Sequence, residues 1–269
     1  MKELNTRELK VVGVRRDDRF SPNSVEKDRL ILEAVGHHLA MDMVVIDESL
    51  LDESVEADII FSMARLPKTL QVLRLLEQRG TLVINSPVSV ENCSRTKLEQ
   101  MMAAMGVPMP EKTGRNGYWL KRGDAAAQQK SDVVYCRDAD ELAAAKTEFE
   151  RRGITNWVVS AHVLGDLIKF YGVRGGFFKY YYPSDDGISK FGAEAINGQA
   201  QHYPFALDDL KETVAKVADI TGLAVYGGDA IVDATGHYYI IDFNDWPSFS
   251  RCREEAAAEI ARLAVDNDR

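Results

Sequence analysis

Cysteine and long hydrophobic runs are scarce in this sequence. Its 269 residues include three cysteines, Cys93, Cys136 and Cys252, which are widely spaced and form no Cys-x-x-Cys pair. Neither a disulfide framework nor a structural zinc site is therefore expected, and a reducing cytoplasm suits such a chain. No run of about 18 apolar residues occurs, so no membrane span is predicted. The first residues also lack the apolar core of a signal peptide.

Basic residues are also fewer than acidic residues. The chain has 33 Lys and Arg against 42 Asp and Glu, which gives a formal net charge of −9 at pH 7. Nucleic acids and anionic membranes are bound through basic surfaces, so neither is expected as a partner. A small basic pocket for a phosphorylated ligand is still compatible with this balance.

Several common motifs are missing. There is no Walker A sequence, and no G-x-G-x-x-G follows the first predicted strand, where Gly13 stands alone. A P-loop and a Rossmann dinucleotide site are therefore disfavoured. No G-x-S-x-G segment occurs, which argues against a serine hydrolase of the nucleophile-elbow type.

The first 86 residues alternate between strand and helix patterns. Lys10–Val14 is an apolar run of strand length, and Val25–Ala40 has apolar residues at helical spacing. Further strands are predicted at 43–46, 58–62 and 81–85. Strand and helix in this order predict a parallel sheet with right-handed crossovers, and hence an α/β domain at 1–86.

Beyond residue 86 the chain changes character. Ser94 is a candidate cap for a helix that Gly106 ends, and the two prolines of the following VPMP segment block its continuation. Short strands and helices then follow, with more strands in the last third. We expect two α+β modules, at 87–162 and 163–269, with a cleft between them.

The final hairpin, YGGDAIVDATGHYYIIDFNDWPSF, carries the strongest chemical signal. A two-residue turn at Thr235-Gly236 places Asp229 directly opposite Asp242. Side chains two residues apart share a face of a strand, so Asn244 joins the two acids. Opposed carboxylates lie about 5 Å apart at Cβ and repel each other, so a positively charged group is expected between them. Hard oxygen ligands of this kind suit Mg²⁺ or Mn²⁺.

The same register also predicts which residues of the hairpin face the core. It pairs Ala230 with Ile241 and sends both, with Phe243, to the face that packs into the core. The alternative is that the acidic face is simply solvated. A slip of one residue would move the acids apart and favour that alternative.

Two lysines are candidates for binding phosphate. Lys97 lies in the first turn of the helix after Ser94, where a positive charge opposes the helix dipole unless an anion is bound nearby. Lys121 ends the short strand YWLK and enters a polar segment that could fold over phosphates. For each lysine, a solvated surface charge is the alternative.

The connection between the two modules is a candidate binding segment for a nucleobase. Its residues are Ser160, Ala161, His162 and Val163. An ordinary connector is the alternative. Asp166 and Lys169 flank the same region, and Lys169 interrupts an apolar strand, so we expect its side chain to point into the cleft.

At these residues the sequence resembles the ATP-grasp superfamily. NSPVSVENCSRTKLEQMMAAMGVPMPEK resembles the family's helix with an early lysine before G-x-P-x-P. VVSAHVLGDLIKFYGV resembles its hinge, and GLAVYGGDAIVDATGHYYIIDFNDWPSF resembles its metal-binding end. Three positions depart from the family pattern: Ser160 replaces Glu or Gln, Asp242 replaces the Glu of the ligases, and Ser248 replaces Gly.

The resemblance implies an ATP-grasp fold. The N-terminal α/β domain would then be the pre-ATP-grasp domain, and the two α+β subdomains would hold ATP between them. It also implies that Lys97 and Lys121 contact phosphates, that the hinge Ser160–Val163 holds adenine, and that Mg²⁺ or Mn²⁺ is the metal. Asp229, Asp242 and Asn244 would bind that metal, with Lys169, Asp242 and Asn244 as the catalytic set and Asp166 at the nucleotide.

Three functions are left open at this stage. A carboxylate–amine ligase similar to the ribosomal-protein glutamate ligase suits the acidic charge balance. An inositol polyphosphate kinase suits the segment DFNDWPSF but needs a dense basic pocket. A non-catalytic nucleotide-binding regulator is the third, and the paired acids and lysines argue against it.

The substrate side is the least defined part of the prediction. Candidate residues are Arg15, Arg16, Arg174, Lys179 and Ser248, with Arg19, Lys190 and Arg251 as further basic residues. The first two follow the first strand, and ligands often bind at the carboxyl ends of parallel strands. The expected partner is a small-molecule or peptide substrate, and a homodimer is left open.

Overall fold

The computed structural model describes residues 9–22, 24–39, 41–124, 129–187 and 194–266. The chain forms two compact units, one made of Met1–Val88 with Ser248–Arg269 and the other of Ser89–Pro247. This division differs from the predicted boundaries at 86 and 162, because the C-terminal segment groups with the N-terminal unit. Among the described residues, no helix combines the length and the apolar character needed to cross a membrane.

Eleven strands and eight α-helices are described within these ranges. In chain order they are β1 (Val11–Arg15), α1 (Val25–Leu39), β2 (Met43–Asp47), β3 (Ile59–Ser62), α2 (Pro67–Gln78), β4 (Leu82–Ile84), α3 (Pro87–Asn92), α4 (Arg95–Ala104), β5 (Tyr118–Arg122), β6 (Val133–Cys136), α5 (Ala139–Arg151), β7 (Trp157–Ala161), β8 (Asp166–Val173), β9 (Phe177–Tyr181), α6 (Glu194–Asn197), α7 (Leu207–Thr221), β10 (Val225–Val232), β11 (Tyr238–Asp245) and α8 (Arg253–Asp266). Short 3-10 helices lie at Asp18–Phe20, Glu48–Leu50, Lys130–Asp132 and Pro183–Asp186.

The N-terminal unit is built on a parallel sheet of four strands in the order β2-β1-β3-β4. The central strand β3 is buried at all four positions, as expected of a parallel strand covered on both faces. Helix α8 packs against α1, and small residues such as Ala256 and Ala257 are fully buried on it. The predicted parallel α/β arrangement is confirmed.

The second unit contains two antiparallel sheets. The smaller has the order β6-β5-β7, and Leu120, Phe149 and Ile154 form its core with α5. The larger has the order β11-β10-β8-β9. Its core includes Phe170 and Phe243 from the strands, together with apolar residues of α4 and α7. The two α+β modules expected from the sequence are therefore present as two sheets with their helices.

The register of β10 and β11 contains one irregularity that sets the polar face of the larger sheet. Asp229 pairs with Asp242, but Ala230 pairs with Ile240, so Ile241 is an extra residue on β11. Such a bulge changes which side chains share a face. Ile240 is buried in the core, whereas Ile241 is only partly buried.

The predicted register was therefore right at the acids and wrong toward the turn. The predicted pairing of Ala230 with Ile241, and the core position of Ile241, were both incorrect. The prediction assumed a strict two-residue turn and no bulge. The extra residue Ile241 shifts the register by one, so that Asp229 and Asp242 are opposed at the next pair. Ala230 and Phe243 do lie in the core, as predicted.

We predict that Gly228→Ala destabilises the fold by about 1–3 kcal/mol, the usual cost of overpacking. A β-carbon at Gly228 would lie 2.2 Å from the carbonyl oxygen of Asp242 and 2.5 Å from the ring of Phe170. The backbone of β11 would have to shift to accommodate it. Chemical denaturation of the variant measures the effect, and an unchanged unfolding midpoint would contradict this account of the close strand packing.

Candidate functional site

A cavity of about 140 Å³ lies within the second unit. Residues of both sheets of this unit line the cavity, together with Arg95 of α4 and Asn197 of α6. Seven of the residues singled out in the sequence are among them: Lys121, Ser160, Ala161, His162, Val163, Asp229 and Asp242. Apolar side chains such as Leu167 and Ile231 complete the lining. The cavity thus combines an apolar part with a charged part.

The two acids on β10 and β11 form the charged part of the cavity. Asp229 and Asp242 are directly opposed in the strand register, as the sequence predicts. Lys169 on β8 is the partner of Asp229 on its other side, and its Nζ lies 3.0 Å from Asp229 Oδ1. Asn244 donates from Nδ2 to Asp242 Oδ2 over 3.1 Å. The structure therefore brings Lys169, both acids and Asn244 together on one face of the sheet.

Lys121 connects the smaller sheet to the bulge in the larger one. Its Nζ donates to the carbonyl oxygen of Ile241 over 2.7 Å. Burial lowers the pKa of Lys121, and the negative charge of Asp242 offsets part of that effect. Burial alone would raise the pKa of Asp242, but the charges of Arg95 and Lys121 outweigh it and hold the pKa below its usual value. The carboxylate and the ammonium group thus stabilise each other's charged form.

The cation at the start of α4 differs from the predicted one. Lys97 is exposed and does not line the cavity, whereas Arg95, two residues earlier, does. Two residues along a helix correspond to about 200° of rotation, so the two side chains leave the helix on nearly opposite sides. The sequence could have indicated Arg95, which is the first residue of the helix and directly follows Ser94.

The segment from Ser160 to Val163 uses several of its backbone groups within the protein. The N–H of Ala161 donates to the Glu111 carbonyl over 2.7 Å, and that of His162 donates to the Gly117 carbonyl over 2.9 Å. The carbonyl oxygen of Val163 accepts from Asn197 Nδ2 over 3.1 Å. These bonds fix the segment against the cavity, and they leave it fewer backbone groups for a nucleobase than the sequence suggested.

His162 is held in one orientation by an aromatic neighbour. Trp119 Nε1 donates to His162 Nδ1 over 3.1 Å, and both residues line the cavity. Indole nitrogen is only a donor, so Nδ1 carries no proton and neutral His162 has its proton on Nε2. Burial lowers the pKa of His162, which favours this neutral form. Tyr135 packs edge-on against the same ring.

Asp166 has a structural position and does not line the cavity. Its carboxylate is buried and accepts from the backbone N–H groups of Gln201 over 2.7 Å and Tyr203 over 2.8 Å. Both oxygens are thereby used to fix the chain before α7. The contact of Asp166 with a nucleotide stays a prediction, and spacing from the hinge does not reveal which backbone groups a carboxylate caps.

The two arginines after β1 are engaged in ion pairs within the N-terminal unit. Arg15 Nε donates to Asp47 Oδ1 over 2.8 Å, and its Nη1 lies 2.5 Å from Asp18 Oδ1. Arg16 is buried, with its Nε 3.1 Å from Asp28 Oδ2. Both guanidinium groups are therefore paired with carboxylates of this unit, and their assignment to the substrate stays a prediction.

The remaining substrate candidates occupy different environments. Arg174 donates from Nη2 to the carbonyl oxygen of Gly222 over 3.0 Å, which fixes the segment after α7. Lys179 on β9 is opposite Tyr171, which is two residues from Lys169 on β8, and so lies on the face that carries the acids. Ser248 begins the C-terminal segment of the other unit. Lys190 lies outside the described residues.

Comparison with known proteins gives matches only among solved structures. No protein-family model and no curated protein sequence matches the chain. A RimK domain protein of the ATP-grasp type from Sphaerobacter thermophilus aligns with a TM-score of 0.65 and 16% identity, over 95% of this chain and 99% of that one. D-alanine–D-alanine ligase from Bacillus anthracis, complexed with ATP, gives 0.64 and 13%, over 98% and 99%.

A third solved structure is the ATP-grasp ligase PsnB. In its complex with a phosphomimetic variant of a minimal precursor, Mg and ADP, it aligns with a TM-score of 0.60 and 15% identity, over 96% of this chain and 98% of that one. PsnB is also similar in its complex with the precursor peptide PsnA2 and AMPPNP. All three alignments extend over nearly the whole of both chains, so they compare complete folds.

This chain has the ATP-grasp fold. The resemblance seen in the sequence is thereby confirmed at the level of the fold. The cavity of this fold lies between the two sheets of the second unit.

The acidic face of this ATP-grasp fold fits a divalent ion in its chemistry. No group of three or more His, Cys, Asp or Glu side chains arranged to hold a metal occurs among the described residues. The available donors are the two carboxylates of Asp229 and Asp242 and the amide of Asn244. Mg²⁺ is commonly bound by one or two carboxylates and takes its other ligands from water and phosphate, so this small oxygen set fits it when a nucleotide is present.

We predict that His162 makes the stability of the protein depend on pH. Its pKa in the folded state lies below the usual 6.5 because the ring is buried. As the pH falls below about 6.5, the unfolded chain takes up a proton that the folded ring resists, and stability is lost. His162→Gln keeps an acceptor for Trp119 and cannot titrate.

The measurement is the free energy of unfolding of both proteins between pH 7 and pH 5. The wild type should lose more stability over this range than His162→Gln, since the other histidines are common to both and cancel in the difference. Equal losses would show that burial of the His162 ring has no effect on its protonation.

Proposed function

We propose that this chain is an ATP- and Mg²⁺-dependent carboxylate–amine ligase that acts on a small molecule or a peptide. The observation that carries the proposal is the meeting of Lys121, Asp229 and Asp242 in one cavity with the segment Ser160–Val163. A cation, a metal-binding acid pair and an apolar pocket are the parts that a bound nucleoside triphosphate requires. The similarity to ATP-grasp ligases solved with ATP, or with Mg and ADP, supports the choice of ligand.

Each part of the site has a role in this proposal. The apolar part, with Leu167 and Ile231, accommodates the nucleobase against the hinge, and Lys121 holds the phosphate chain. Asp229, Asp242 and Asn244 hold the divalent ion. When bound, Mg²⁺ or Mn²⁺ neutralises the charge that develops on the phosphate oxygens. Catalysis of phosphoryl transfer is largely a matter of positioning and electrostatics, so no covalent nucleophile from the protein is needed.

The proposed reaction balances in two steps. A substrate carboxylate oxygen bonds to the γ-phosphorus, the bond to the β-phosphate oxygen breaks, and ADP leaves. The resulting acyl phosphate is attacked by an amine, which forms the amide, releases inorganic phosphate and loses a proton. Lys169 and Lys179 lie on the face of the sheet that carries the acids, where positive charge can hold the incoming carboxylate.

The product analysis tests the reaction type. The protein is incubated with Mg-ATP and pools of amino acids, small carboxylates and peptides, and ADP, free phosphate and new masses are measured. A ligase releases ADP and free phosphate together with an amide product. ADP without free phosphate, together with a phosphorylated product, would instead identify a kinase. Nucleotide binding without turnover across these pools would leave the protein a binding regulator, and the ligase proposal would be wrong.

We predict that Asp242→Asn reduces turnover at least about 100-fold, because it removes the charge that holds the metal at the phosphates. Asp233→Asn is the matched control. Asp233 lies in the turn between the same two strands, where it accepts from the backbone N–H of Thr235. The Asp233→Asn variant should retain most of the wild-type turnover. If Asp242→Asn kept wild-type turnover, the metal would have to be held elsewhere.

A further inference from the structure

A second cavity of about 80 Å³ lies beside the first in the same unit. Five residues line both cavities, and they are Arg95, Lys121, Ser160, Ile241 and Asp242. The second cavity continues along helix α4 and the segment 109–112, which do not contribute these further residues to the lining of the first. This part of the molecule has no role in the proposed reaction, so it is available to a ligand other than the nucleotide.

One wall of the second cavity is apolar. Leu98 and Met102 lie four residues apart on α4, so their side chains meet on one side of the helix. Both are buried, and Met109 and Ile240 complete the wall. Methionine side chains are flexible and adapt to apolar ligands of different shape. Since an apolar cavity of about 150 Å³ can bind benzene, this smaller one suits a chain of about three or four carbon atoms.

Arg95 adds an unsatisfied donor to the second cavity. Its Nη1 donates to the carbonyl oxygen of Arg122 over 3.2 Å, which anchors one end of the guanidinium group. Its Nε is buried and has no hydrogen-bond partner among the described residues, because Asp242 Oδ1, at 3.8 Å, is too far away to accept from it. A buried donor without an acceptor is costly, so this N–H group favours a ligand with a negative charge.

Glu99 adds an acceptor one helical turn further along. It lies four residues after Arg95, a spacing that places side chains about 5–6 Å apart at Cβ, and it lines the same cavity. Its Oε1 forms an ion pair with Lys112. A carboxylate has a second oxygen that can accept as well, so Glu99 favours a ligand that also carries a positively charged donor.

A ligand that fits these walls carries a negative charge for Arg95, a positive charge for Glu99 and a short apolar chain. An α-amino acid has all three groups on one carbon atom. We propose that the second cavity binds a free α-amino acid with an unbranched apolar side chain. Its carboxylate accepts from Arg95 Nε, its ammonium group donates to Glu99, and its side chain lies along Leu98 and Met102. This site goes beyond the proposed function, because binding here requires neither a nucleotide nor a metal.

A homologous series of amino acids tests the apolar wall. Binding of alanine, 2-aminobutyrate, norvaline and norleucine to the wild type is measured by calorimetry without nucleotide or metal. Each additional buried CH₂ group should strengthen binding about fourfold. The longer 2-aminooctanoate exceeds the cavity and should gain nothing over norleucine. Affinity that does not depend on chain length, or no binding by any member of the series, would overturn the proposal.

Glu99→Gln tests the charged contact, since it removes the charge and keeps the shape of the side chain. Loss of a hydrogen bond between charged groups predicts at least about tenfold weaker binding of norleucine. Hexanoate is the same molecule without the ammonium group, and it should bind Glu99→Gln at least as well as the wild type, because a repulsion is removed.

Glu148→Gln is the matched control for this variant. Glu148 lies on α5, where it also forms an ion pair, with Arg151, and it does not line the second cavity. It should bind norleucine as the wild type does. If the two variants lost affinity equally, or if Glu99→Gln lost affinity for hexanoate as much as for norleucine, the ammonium group would not lie at Glu99 and the proposal would fail.

Met109→Trp fills the cavity and gives an independent check. With less space for the side chain of the ligand, affinity should stop rising at 2-aminobutyrate. The thermal unfolding midpoint of each variant without ligand shows whether its fold is intact. A folded Met109→Trp variant with the full affinity for norleucine would place the ligand elsewhere. ATP turnover of the wild type is measured separately, so failure of the amino-acid site and failure of the proposed function are distinguished.

Discussion

The contact between Lys121 and the bulge at Ile241 is the interaction on which the site depends. Lys121 belongs to the smaller sheet and Ile241 to the larger, so this one hydrogen bond joins the two walls of the cavity. It exists because the extra residue on β11 turns a carbonyl group out of the strand ladder. The same bulge brings Ile241 to the cavity beside Asp242.

The balance of positive and negative charges in the cavity is the second constraint on the site. It follows from the strand register and the bulge. Asp229 and Asp242 are held opposite each other by the strand register, and two opposed carboxylates repel. Lys169, Lys121 and Arg95 surround them, and their charges hold the pKa of Asp242 low despite burial. A site that keeps acids and bases so close is well arranged for a ligand that carries both a metal and phosphates. This is the physical basis of the proposed ATP-dependent function.

The sequence led directly to the opposed acids, to Lys121 and to the hinge segment, because each stands at a recognisable position in a strand or turn. The sequence could not decide side-chain direction. Lys97 and Arg95 are equally basic and two residues apart, and only the orientation of α4 decides which of them reaches the cavity. The contacts that Arg15, Arg16 and Asp166 make within the protein could not be predicted either. Their partners, Asp47, Asp28 and the backbone at Gln201 and Tyr203, are remote in sequence.

The amino-acid sequence by itself determined the alternation of strands and helices, the parallel sheet of the N-terminal unit and the hairpin that carries the acids. These follow from local periodicity and turn residues, which act over a few positions of the chain. Only the tertiary structure decided the bulge at Ile241, the grouping of α8 with the N-terminal unit and the position of Arg95, rather than Lys97, at the cavity. Each of these features depends on contacts between segments that are distant along the chain. No local sequence pattern indicates the energies of such contacts.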